Sequence, residues 1–148
     1  MEAEVYPTPR VAELIEGTFI PVRFHIKTRP DTWKRFGIRW TPTILILAAD
    51  GKEQYRIEGF LPVDDFLAQL HLGLGYWAVN RKDWAAAERE FREVEQSFPE
   101  TDAAPEALYW EGVARYSATH DGAELRKLAE QFRTRYSDTS WAKRSTVW

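Results

Sequence analysis

The alternation of apolar and polar positions changes character near residue 75. Before that point the period shifts from segment to segment. In "RVAELIE" (10–16), Val11, Leu14 and Ile15 recur at helical spacing, and Gly17 follows as a stop. "FIPVRFHI" (19–26) alternates, with Ile20, Val22, Phe24 and Ile26 on one face. This predicts a strand, and Pro21 stands near its start, where a missing N–H is tolerated. "PDTWKRF" (30–36) opens on Pro and Asp and predicts a short helix. Residues 43–49, "TILILAA", do not alternate, which predicts a strand buried on both faces. Ala49-Asp50-Gly51 is a hairpin-turn signal, and "EQYRIEG" returns as an antiparallel strand. Pro62, Asp64 and Asp65 then start a helix, proline in the first turn and acids against the positive end of the dipole. Phe66, Leu67, Leu70 and Leu74 give it an apolar face.

Beyond residue 75 every segment has helical period. Trp84, Ala87, Phe91, Val94 and Phe98 form one stripe; Leu108, Gly112, Val113 and Tyr116 a second; Leu125, Leu128, Phe132 and Tyr136 a third. Short polar turns at 80–83, 99–101, 119–122 and 137–139 join them, which implies antiparallel neighbours. A weak repeat runs through this half. "SFPETDAAPEALYW" ends at Trp110 and "RYSDTSWAKRSTVW" at Trp148, so that Phe98 falls on Tyr136 and Thr101 on Thr139.

Composition narrows the chemistry. The 148 residues contain no cysteine, which excludes disulfides, thiolate nucleophiles and zinc–thiolate sites in this chain. The net charge of -3, with basic and acidic residues interleaved, argues against a nucleic-acid partner. The N-terminal residues lack the basic and apolar regions of a signal peptide, and no apolar run is long enough for a membrane span. A cytoplasmic location is the corresponding expectation. His25, His71 and His120 lie in separate elements, so no metal site is expected. No Gly-rich phosphate loop occurs, and no cofactor is expected. Seven Trp and eight Phe assign much of the core to aromatic packing.

"FGIRWTPTILILAADGKEQYRIEGFLPVDDFLAQL" resembles the second half of the thioredoxin fold: a Thr-Pro, a buried strand, a D-G turn, an antiparallel strand ending in Gly59 and a proline-started helix. Gly75, Trp84, Ala87, Phe91 and Pro99 resemble the small, aromatic and terminating positions of a tetratricopeptide repeat, although Ser137 stands where the second unit should have Pro. These resemblances imply an α/β half followed by an all-α half. The first is a truncated thioredoxin-like sheet (strands about 19–26, 43–49 and 53–58) in a domain of residues 1–74. The second comprises antiparallel helical hairpins in a domain of residues 75–148.

The thioredoxin resemblance also implies that the Thr41–Pro42 bond is cis and that Trp40, Thr41 and Pro42 form a substrate- or peptide-binding wall. The family's first core strand and its Cys-x-x-Cys are absent, so no catalytic residue is assigned. Two origins account for this: a redox-inactive descendant acting as a protein–protein interaction module, or the C-terminal part of a thiol–disulfide oxidoreductase whose cysteines lie upstream. The position of Met1, which falls within the family's active-site helix, favours the second origin. Without the first strand, 19–26 and 43–49 are expected to pair directly; a homodimer through the exposed strand edges is the alternative.

Overall fold

The computed structural model describes residues 1 and 3–148. Among them are two strands and seven helices, in the order α1 (Pro9–Thr18), α2 (Pro30–Arg35), β1 (Thr43–Leu47), β2 (Glu53–Glu58), α3 (Val63–Asn80), α4 (Trp84–Ser97), α5 (Ala103–Thr119), α6 (Gly122–Arg135) and α7 (Ser140–Ser145).

β1 and β2 form an antiparallel hairpin that pairs Thr43 with Glu58, Ile44 with Ile57, Leu45 with Arg56 and Ile46 with Tyr55. An irregularity follows Ile46 and brings Leu47 opposite Glu53. The turn uses Gly51 at φ +78°, a conformation glycine adopts without strain. Ile46 and Ile57 are buried on the face toward α3. The Ile46 side chain packs so closely on the helix backbone there that a Cβ on Gly73 would collide with it. The Tyr55 hydroxyl donates to Gln69 Oε1 at 2.7 Å and fixes the same contact.

Two strand expectations need correction. Residues 19–26 form no strand, and the sheet has two strands rather than three. The alternation identifies two faces, but a strand also needs a neighbour for its backbone groups. Here β1 pairs only with β2. Ile20, Val22, Phe24 and Ile26 are therefore left 93%, 68%, 51% and 43% exposed. The direct pairing of 19–26 with 43–49 does not occur. β1, expected to run to residue 49, stops at Leu47, and of its five residues only Ile46 is buried, so it is not covered on both faces.

The stripes of α4 and α6 fall where their periodicity places them, but the α5 stripe does not: Leu108 and Gly112 are buried, whereas Tyr116 is exposed and Ala107, Glu111 and Ala114 take the inner face. Ala87, Phe91, Val94 and Phe98 are buried along α4, and Leu128 and Phe132 along α6. α3 runs unbroken through residues 74 and 75, and its side chains join one apolar cluster that extends from Val5 and Val11 to Phe91, Phe98 and Ala114. A Cβ on Gly75 would press into the Phe91 ring, and one on Gly112 would lie 2.6 Å from Leu128 Cδ2, so each glycine admits a large side chain from the next helix.

The sequence repeat has a backbone counterpart. α4 and α6 are both 14 residues long. Their N-cap aspartates, Asp83 and Asp121, accept backbone N–H bonds from Ala86 and Ala123. At their C-caps, Phe98 (φ -133°, ψ 46°) and Tyr136 (φ -136°, ψ 38°) share one conformation. Thr101 and Thr139 each bond back to those carbonyls through the backbone N–H at 3.1 Å and the hydroxyl at 2.8 Å. The threonines retained in the repeat thus close the same turn twice.

Candidate functional site

Trp40, Thr41 and Pro42 lead directly into β1. The Thr41–Pro42 peptide is cis. The Thr43 hydroxyl donates to the Trp40 carbonyl at 2.7 Å and tightens the loop from within. The backbone N–H of Gly59 donates to the Pro42 carbonyl at 2.8 Å, extending the ladder past Thr43 and Glu58. Gly59 is at φ +89°, a turn that suits glycine, and Phe60 follows it.

The result is two aromatic residues at the proline end of the hairpin, Trp40 66% exposed and Phe60 54% exposed. Thr41 is also exposed, and its backbone N–H and C=O have no partner among the described residues. The three sequence-predicted site residues are consecutive, and Pro42 is the half-buried one. Phe60 was not a candidate from sequence. The signal that could have found it is Gly59, the glycine that closes the second strand beside the proline.

The register also fixes which backbone groups of β1 stay open. The bonds at Pro42 and at Ala48, whose N–H donates to the Lys52 carbonyl at 2.9 Å, set the alternation so that Ile44 and Ile46 bond to β2. The N–H and C=O groups of Thr43, Leu45 and Leu47 point to the other edge, where no strand lies among the described residues.

Residues 1–73 match the family model of a thioredoxin-like domain. The chain carries a thioredoxin-like domain. The match ends within α3, so α4 to α7 lie outside it. No curated protein and no solved structure gives a significant match to the chain.

This thioredoxin-like domain contains no thiol, because the chain has no cysteine. Thiol–disulfide exchange begins with thiolate attack, so no mixed disulfide can form on this chain. The expected outcome of an insulin-reduction assay with dithiothreitol is a rate equal to the protein-free blank; a rate clearly above it would contradict the assignment. Among the described residues no group of His, Asp and Glu is arranged to hold a metal ion, and no helix is long and apolar enough to cross a membrane.

Other ionisable groups are engaged in packing. Burial pushes the Tyr55 phenol well above its ordinary range. It does the same to Tyr76, whose hydroxyl also donates to Glu106. Both therefore stay protonated, and neither supplies a tyrosinate base. Between α3 and α4, Glu90 Oε2 accepts from His71 Nδ1 at 2.9 Å, and Glu90 Oε1 accepts from Arg89. Burial works to raise the Glu90 carboxyl, but the bonds from His71 and Arg89 outweigh it and hold the group below its ordinary value.

A depressed carboxyl contributes stability that is fully present above the unfolded-state value of about 4.3 and is lost as pH falls through the lower folded value. Part of the acid loss of stability is therefore expected to come from Glu90. Urea-unfolding midpoints measured from neutral pH downward should fall less steeply in Glu90→Gln than in the unmodified chain. Parallel curves would show that Glu90 is not involved.

Proposed function

We propose that the chain is a non-catalytic protein-interaction module. Its thioredoxin-like domain seats an extended peptide against Trp40, Thr41 and Pro42, with Phe60 as a second wall. Residues 75–148 act as a tetratricopeptide-like helical scaffold that stiffens the domain and presents further surface to a partner. No cofactor takes part.

The single observation that carries this proposal is the pair of exposed aromatics brought to one end of the hairpin by the Gly59–Pro42 bond, around a residue whose backbone groups are free. Two large flat side chains offer contact area at little conformational cost, and such residues dominate binding energy at interfaces. The open N–H and C=O of Thr41 can bond to a peptide main chain, which gives affinity with little dependence on sequence. The absence of cysteine leaves binding, rather than exchange, as the use of such a surface. The matched caps of α4 and α6 support a repeated helical scaffold.

A random peptide library displayed on phage and selected on the immobilised chain tests the proposal. Selected peptides are expected to weaken by about 30-fold or more in Kd with Trp40→Ala, the size of a hot-spot loss of about 2 kcal/mol. They should be unaffected by Tyr116→Ala on the exposed face of α5. Failure to enrich any peptide, or enriched peptides indifferent to Trp40→Ala, would overturn it.

A further inference from the structure

The segment between α1 and α2 is a strand without a sheet. Phe19 is packed against the apolar cluster at its start, and residues 20–30 are all exposed. The even positions, Ile20, Val22, Phe24 and Ile26, carry the apolar side chains, and the odd positions carry Pro21, Arg23 and His25; a turn then closes as the N–H groups of Thr28 and Arg29 donate to the His25 carbonyl, and the Arg29 guanidinium lies over the Phe24 ring. Proline and basic residues are what natural edge strands carry to keep further strands away. Arg29 lies over the Phe24 ring, but four large exposed apolar groups at alternating positions are what a face covered by a partner presents.

β1 has the opposite character. Thr43–Leu47 contains no charge and no proline, which is the composition of an interior strand, yet one edge is open. Two strands are also fewer than an independent sheet normally needs. On the outer face of the hairpin, opposite Thr43, Leu45 and Leu47, stand Glu58, Arg56 and Glu53; Arg56 pairs closely with Glu53 and loosely, at 3.5 Å, with Glu58, which leaves the face with one net negative charge. A strand laid along β1 with its apolar side toward the plane of Ile44 and Ile46 would turn its other side, basic in this segment, toward that acidic face. The single net negative charge on that face, nearest Glu58, is complementary to Arg23, and the new edge would be the protected one.

In its own chain the segment is not paired with β1 among the described residues. Its start is held by Phe19 in the core, and the helix that follows is tied to the sheet by Arg56 Nη2, which donates to the Phe36 carbonyl at 2.6 Å.

We propose that a second copy of this chain fills the edge. Residues 20–26 of each copy add as a third strand to β1 of the other, bonding to the backbone groups of Thr43, Leu45 and Leu47. The exchange is reciprocal, so the two contacts are equivalent and the assembly closes as a two-fold dimer. This proposal does not depend on peptide binding at Trp40, and the variants that test it leave Trp40 to Pro42 unchanged.

The test combines molar mass by light scattering, from micromolar to submillimolar concentration, with amide hydrogen exchange on the full chain. The expected result is a mass that doubles with concentration, together with protection that appears in residues 22–26 and at Thr43, Leu45 and Leu47. The double variant Val22→Asp with Phe24→Asp should return the monomer and remove that protection, while its helical circular dichroism stays unchanged, since both positions are exposed. A monomer throughout would overturn the proposal. So would a monomer with those amides protected, which would place the segment on β1 of its own chain. A dimer indifferent to the double variant, or open-ended association, would overturn it as well.

Discussion

Phe91→Ala is expected to lower the unfolding free energy by about 3–5 kcal/mol. The ring is fully buried, fits the space that Gly75 leaves open on α3, and packs edge-on against Tyr76 at 5.8 Å between centroids. Removing it forfeits the transfer energy of the ring and leaves a cavity between α3 and α4. Because α3 also carries the contacts to Ile46 and Tyr55, the loss should reach the hairpin and the proline loop. Urea unfolding followed by circular dichroism checks the size; a loss under about 1 kcal/mol would mean that the two helices repack without the ring.

Glu111→Ala is expected to cost nearly as much, about 3 kcal/mol, for a different reason. Glu88, Arg92, Glu111 and Arg115 form a closed ring of alternating charge between α4 and α5. Arg92 Nε donates to Glu111 at 3.0 Å and Arg115 Nε donates to Glu88 at 2.9 Å, while Arg92–Glu88 and Arg115–Glu111 pair along the helices. Glu111 is the buried member, with a side chain 3% exposed. Its removal leaves two guanidinium groups facing one remaining carboxylate. Their partial exposure lets them move toward water, which places the cost at the lower end of the range for a broken buried pair. The comparison is Asp64→Ala. Its ion pair with Arg10 is more than half exposed on both sides and should be worth under about 1 kcal/mol. Equal costs for the two variants, measured by the same urea titrations, would contradict the weight placed on burial.

Much of the helical half was legible because one signal suffices there. An amphipathic period places Phe91 and Phe132 inward whatever the neighbour is, and the neighbour is supplied by the next hairpin. The equivalence of two turns could also be read, since Thr101 and Thr139 close them with the same pair of bonds. The ring of charges could not. Glu88 and Arg92 have the i,i+4 spacing of any exposed helix pair, and only the approach of α5 reveals that Glu111 is inside.

In the first half the hairpin was legible from the D-G turn and the proline loop from its place before an apolar strand. The segment 19–26 is not a strand despite its alternation, because alternation reports a side-chain pattern, whereas a strand is made by backbone pairing with something outside it. The over-reading of 43–49 has the same origin: a run of apolar residues does not show how many neighbours the sheet provides. Of the candidate site, Trp40 to Pro42 were visible as a motif. Phe60 was not, because its position depends on a ladder bond between residues 17 apart in sequence (59 minus 42).

The most direct test of the interaction-module account is a nuclear magnetic resonance titration of the isotope-labelled chain with one selected peptide. The account predicts that the largest shift changes fall on the Trp40 indole N–H and the amides of Thr41, Thr43, Gly59 and Phe60, with α4 to α6 little changed. Shifts confined to α4, α5 and α6, with the proline loop unmoved, would contradict it.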